Sequence, residues 1–289
     1  MRPGYVPLFA IALAACKFGG EEAHDSPGDP PADAGPPSAL GTGSRISQVV
    51  SQYAPPDAGV TSSSGPTVDI TGAALIIIDS YDETHDGKSA GTVYVEDVPA
   101  PGQPLPPFSG IEFYKPTYTP SNLLVAPGNV LDFTGEYTNY AYSGKSSKFG
   151  KDEFFPEMYE PTVSFRFDYE VPPPTVIQAS DLSATVAAAT TWPAFSVGMR
   201  WTSMLVEVDD VTILGSYTST EGRVQLYFST PGFPNGTGSS DLSFGNQLFA
   251  LDPTDPDYAM GAKFSKVIGV CTYFFDFQIN PRSPADFVK

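Results

Sequence analysis

From Ser44 onward the apolar positions fall in short runs rich in β-branched and aromatic residues, each cut off by Pro, Gly, Asn or Asp. That pattern predicts strands and turns. In the first half the predicted strands are Thr67–Ile78, Thr92–Asp97, Gly110–Tyr114, Val130–Tyr140 and Thr162–Tyr169; in the second they are Met204–Leu214, Arg223–Phe228, Gln247–Leu251 and Lys266–Ile279. Only Thr175–Thr190, with its Ala-rich Ala184–Ala189, reads as helical, a single short helix or else a loop. The run Glu170-Val171-Pro172-Pro173-Pro174 stops any strand, because Pro cannot donate to a ladder. A domain boundary is expected there, with β domains over 44–170 and 175–289.

The two halves repeat. Ser44–Val49 opens the first as Val176–Leu182 opens the second; Ala74–Tyr81 then corresponds to Asp210–Tyr217, Thr92–Val95 to Arg223–Phe228, Ile111–Tyr114 to Leu248–Leu251, and Phe133–Thr138 to Ile268–Thr272 about a shared glycine. Gly135 and Gly269 inside strong strands point to a bulge or bend that lets a small sheet close on itself. A long first strand, a glycine within a later one and a variable loop before the last resemble the OB-fold barrel. The stretches Gly128–Tyr137 and Gln278–Phe287 resemble the OB-like domains of bacterial surface lipoproteins, of myxobacterial type, and of secreted nucleases. The resemblance implies an all-β chain of two tandem OB-fold-like small barrels.

Ahead of them, Arg2 and the apolar run Val6–Ala15 read as a signal peptide over residues 1–15, too short to span a bilayer. Leu13-Ala14-Ala15-Cys16 resembles a lipobox, which implies a lipidated Cys16 and a membrane partner reached through acyl chains. Residues 16–43, dense in Pro, Gly, Ala and Asp, cannot bury enough surface to fold and read as a disordered tether. The expected location is the bacterial envelope, at the outer membrane.

Charge narrows the partners. The 33 acidic residues against 15 basic ones leave a net −18, the wrong sign for nucleic acid. Lipidation of Cys16 leaves Cys271 without a disulfide partner, and its apolar flanks make it a core thiol.

Candidate chemistry is sparse. Gly87-Lys88-Ser89-Ala90-Gly91 matches the G-x-S-x-G pattern, but no His follows Ser89 in the chain, so a turn is expected. Asp79, Asp82, Glu83, His85 and Asp86 crowd one loop, and Asp252, Asp255 and Asp257 another. Either could offer oxygens to Ca2+, although acidic residues also gather in turns. Tyr137, Asn139 and Tyr140 at a strand end, with Phe154 and Phe155 in the apolar loop Phe149–Pro156, form a candidate ligand platform. The resulting expectation is a non-enzymatic binding or structural module of the envelope, its partner a protein or glycan and its cofactor none beyond Ca2+. The alternatives are a subunit of a secreted hydrolase or nuclease and a carbohydrate-binding surface protein.

Overall fold

Five strands of the first half close a ring. The structure is a computed structural model describing residues 40–61, 63–140, 154–182, 192–234, 242–274 and 276–289. Outside them lie the signal run, Cys16, the tether to residue 39, positions 183–190 of the expected helix and residues 149–153 of the expected contact loop. Strands β1 (Thr67–Ile78), β2 (Val93–Asp97) and β3 (Gly110–Tyr114) run as an antiparallel meander. A short β4 (Thr117–Thr119) follows, then β5 (Asn129–Tyr140) and β6 (Phe155–Asp168). β5 pairs antiparallel with both β1 and β6, and β6 returns parallel to β3. The order β1-β2-β3-β6-β5 therefore leads back to β1.

The second half repeats the circuit. After β7 (Thr175–Val176) come β8 (Leu205–Thr218), β9 (Val224–Ser229), β10 (Ser243–Gly245), β11 (Lys263–Phe274), β12 (Asp276–Asn280) and β13 (Phe287–Val288). The order β8-β9-β10-β12-β11 returns to β8, with β10 and β12 as the parallel pair. The chain is all-β, as its residue pattern predicted.

Equivalence extends to single residues. In β1 a register shift falls between Leu75 and Ile77, and in β8 between Ile213 and Gly215, each starting seven residues past the partner of Gly135 or Gly269, Val68 or Val206. Gly72 (φ 70°) and Asp210 (φ 53°) take left-handed backbone four residues past the same two valines. Asp is among the few residues besides Gly that tolerate this. Ser44 N donates to Asp69 O and Ile177 N to Glu207 O, so each ring is approached by the same extended segment. A helical turn follows each approach, capped by Gln48 on the Arg45 amide and by Asp181 on the Gln178 amide.

Several sequence expectations need correction. The third strand of the second ring is Ser243–Gly245, not Gln247–Leu251, whose Leu248 and Leu251 are buried without joining a ladder. Lys266–Ile279 is a hairpin of two strands. The correspondence of β1 with β8 runs two residues further along than Ala74–Tyr81 against Asp210–Tyr217. Within Thr175–Thr190 the described residues form β7 and a 3-10 turn at Ala179–Asp181. Helix lies elsewhere, in α1 (Ile46–Tyr53) and α2 (Trp192–Met199). α1 buries Ile46, Val49 and Val50 at helical spacing, a pattern too brief to stand out beside its β-branched composition. In α2, a Cβ on Gly198 would lie 2.4 Å from the Phe277 ring, so only glycine lets that helix approach β12 so closely.

The rings are not separate cores. One apolar cluster runs through both, joined where Phe195 of α2 meets Phe154 at 5.8 Å and Tyr273 at 5.3 Å. A second, of Ile76, Tyr94, Leu205, Leu248 and Val270, lies between them. Apolar contacts cross the junction because β2 is buried at every position: its inner face fills ring one and its outer face meets ring two. A Cβ on Gly110 would lie 2.5 Å from the Ser203 carbonyl carbon, so β3 starts directly against the backbone leading into β8.

Candidate functional site

Two arrangements on the outer face of ring one carry the chemistry, and both use the parallel pair β3/β6. The first is a surface ledge. Tyr114-Lys115-Pro116-Thr117 and Tyr159-Glu160-Pro161-Thr162 are the same local sequence with one charge reversed. The fold sets them side by side in register, Tyr114 against Tyr159 and Thr117 against Thr162. The tyrosine rings stack at 5.5 Å with 23° between their planes, and 41% and 37% of the two residues' surfaces stay open. Lys115, in the break between β3 and β4, and Glu160, within β6, both hold left-handed backbone (φ 49° and 46°), so the two chains bend at the same level. Strain at non-glycine residues persists only where surroundings impose it, and it gathers at functional sites. The Lys115 ammonium lies 4.9 Å from the Tyr114 ring centre, and Glu160 pushes the Tyr159 phenol above its ordinary range through its charge and a hydrogen bond.

The second arrangement lies deeper, with Asp79, Glu96 and Glu157 buried and Glu112 half-buried. Two residues before the tyrosines on the same strands, Glu112 and Glu157 are direct partners across the parallel pair. Tyr94 is the partner of Glu112 on β2. Gln247, from ring two, donates to the Tyr94 hydroxyl at 2.8 Å and to Asp79 Oδ2 at 3.5 Å. Asp79 is 2% exposed, and its Oδ1 has no partner among the described residues. Next along, the fully buried Glu96 accepts the Leu205 amide at 2.9 Å through Oε2, while Oε1 has no partner among the described residues. Burial is the leading cause that pushes every one of these carboxyls up: Asp79 to about 6, with Glu83 adding; Glu157 to about 6, against a Thr138 hydrogen bond; Glu112 to about 8, with Glu157 and Asp79 adding. Glu96 rises well above the carboxylate range for the same reason.

The residues singled out from sequence scatter. Of the first acidic loop, Asp79 joins the buried group. Asp82 instead accepts the Asp86 and Gly87 amides, Glu83 pairs with Arg223 at 2.9 Å, and Asp86 accepts the Lys88 amide. In the other, Asp252 accepts from Thr254, Asp255 caps a short turn through the Asp257 amide, and Asp257 pairs with Lys289. Among the described residues no three His, Cys, Asp or Glu side chains are grouped to hold a metal ion. Ser89 is exposed in the loop entering β2, away from any strand-to-helix turn.

The aromatic platform expected from Tyr137, Asn139, Tyr140, Phe154 and Phe155 does not assemble. Tyr137 is fully buried in ring one and donates to Asn139, itself buried, and Phe154 packs on Phe195 in the core. Phe155 is half-buried beside Tyr273, which leaves Tyr140 as the exposed member. Cys271 is fully buried, as expected of a core thiol, and burial raises its thiol far above the ordinary range. The ledge is legible in the sequence as a tetrapeptide recurring within one half, a short signal beside the longer repeat between halves. Compared with known proteins, the chain matches no family model, no curated sequence and no solved structure.

Proposed function

We propose that this is a lipid-anchored envelope protein serving as a binding module, with two rings of OB type on an acidic tether and a neutral glycan as the ligand of its Tyr114–Tyr159 ledge. The stacked, open tyrosine pair, each ring followed by a residue in left-handed backbone, carries this reading. Aromatic side chains offer an apolar body with a polar tip, suited to the C–H faces and hydroxyls of a sugar ring. Lys115 and Glu160 add a donor and an acceptor beside the stack. A net charge of −18 disfavours polyanionic ligands, nucleic acid included. The OB reading is supported by the five-strand closure with a parallel third and fifth strand in both halves. The anchor is supported by Leu13-Ala14-Ala15-Cys16.

Pull-down on insoluble neutral polysaccharides and on isolated sacculi tests the ligand, and palmitate labelling of Cys16→Ala tests the anchor. Wild-type protein should be retained, the Tyr114→Ala/Tyr159→Ala variant should bind about tenfold more weakly, and the Cys16 variant should take up no label. Equal retention of variant and wild type removes the ledge from the reading; equal labelling removes the anchor.

A further inference from the structure

We propose that the tyrosine ledge is the first contact of a longer strip along β4 and β6 that takes an extended neutral glycan, a chain of three or more sugar units. The inference rests on the glycan reading and adds to it the length and course of the ligand.

The strip follows from register and parity. β4 lies parallel to β6, with Thr117 against Thr162 and Thr119 against Ser164, while Tyr118 between them is the partner of Val163. Val163 is buried in ring one and Tyr118 packs on the same core, so the hydroxyl residues on either side of them point outward. β5 continues both rows, placing Thr134 beside Thr162 and Asp132 beside Ser164. Thr117, Thr119, Thr134 and Thr162 are all exposed. Successive rows on the outer face are therefore the Tyr114–Tyr159 stack, then Thr117 and Thr162, then Thr119 and Ser164. From Tyr159 to Ser164 the strand rises about 16 Å, the length of about three sugar units.

The strip offers hydrogen bonds and no free charge. Among the described residues the Thr117, Thr119 and Thr162 hydroxyls hold no hydrogen bond. The acids along its border are already engaged: Asp69 accepts from Thr134, Asp132 accepts the Gly72 amide and pairs with Arg166, and Glu136 accepts the Gly65 amide. A polyanion would meet these carboxylates, and a polycation would have to displace their present partners. A neutral chain, whose hydroxyls both donate and accept, is the occupant that fits.

The course is fixed by the fold. Ring one closes across its strands, so a ligand lying across them would leave the surface, whereas one lying along β4 and β6 stays on it. Beyond the tyrosines the strip ends, because Glu157 is buried. The chain therefore runs from the stack toward Thr119.

The test is calorimetric titration of the full chain with cello-oligosaccharides and chito-oligosaccharides of two to six units. In the series that binds, affinity should rise about tenfold between two and four units and then level off, the effect of about two added hydrogen bonds. Thr117→Val/Thr162→Val keeps strand-forming side chains and removes the hydroxyls; it should lose that rise and keep the two-unit affinity. Thr117→Ser/Thr162→Ser should restore the rise, and Tyr114→Ala/Tyr159→Ala should weaken every length. Affinity independent of length, or a rise that survives in the valine variant, overturns the strip and leaves the ledge standing. Wild type that binds neither series overturns both. Should the valine variant fail to fold, the length series on wild type decides alone.

Discussion

Gly135 and Gly269 hold the same place in two rings: each is the seventh residue of a twelve-residue strand, and their partners Val68 and Val206 are each the second residue of the strand opposite. Neither needs left-handed backbone. What they share is close approach to the strand that closes the ring, since a Cβ at 135 would lie 2.9 Å from Pro161 Cα and one at 269 would lie 2.7 Å from the Asn280 carbonyl. On the side of β1 or β8 the register runs unbroken through both glycines, whereas on the other side a register shift spans Gly135, between Thr134 and Glu136, and the β12 ladder begins at Val270, just past Gly269. The bend expected from sequence is thus a point of contact in both rings and a bulge in one.

Replacement by Val should therefore destabilise at both positions, by overpacking worth about 1–3 kcal/mol. The larger loss belongs at Gly269, where the Asn280 carbonyl carbon and oxygen and the β-branched Ile279 Cγ2 all lie at 2.7 Å; at Gly135 the approach is looser and one neighbour is the flexible Met158 Cε at 3.1 Å. Urea midpoints for Gly135→Val and Gly269→Val check the ranking. Equal or absent losses would mean the strands separate more easily than their packing indicates.

The kinked ledge invites the opposite substitution. Lys115 and Glu160 sit at positive φ without a glycine's freedom, a cost of about 1–2 kcal/mol per residue. Lys115→Gly and Glu160→Gly should each raise the urea midpoint while weakening retention on the neutral polysaccharide. A destabilised pair would show that the side chains, through the Tyr114 and Tyr159 contacts, stabilise more than the backbone costs.

How far the sequence anticipated this structure depends on which force placed each residue. Strands whose inner and outer faces differ, such as β5, announced themselves by alternation. Leu248 and Leu251 misled because they are apolar for the sake of burial between elements, with no ladder to join. Tyr137 looked like a platform residue until its parity was fixed: it lies two positions from Gly135 on the inward face, while Tyr140 falls on the outward one. The acidic group was invisible, since Asp79, Glu96, Glu112 and Glu157 share no spacing and meet only through the parallel return of β6 to β3 and the arrival of Gln247. The acids that lie close in sequence are instead turn-forming groups satisfied by nearby amides.

Gln247 gives the sharpest test of whether the two rings fold as one. It is a half-buried residue on a loop of ring two, yet its side-chain amide meets both the buried Tyr94 hydroxyl and Asp79 of ring one, while its backbone amide is held by Asn280 Oδ1 within its own ring. Gln247→Ala removes the donors and leaves the two ring-one groups unsatisfied, a loss of about 1–3 kcal/mol for a buried polar group. Because the substitution creates no cavity inside either ring, a loss of that size arises only if the junction is part of the cooperative unit. A single urea transition with a lowered midpoint and an unchanged slope is expected. If the rings unfold independently, the variant should instead split the transition in two or leave the midpoint of each ring where it was. Asp79→Asn in the same background separates the two contributions: with no carboxylate left to desolvate, the double variant should recover part of the stability lost at neutral pH.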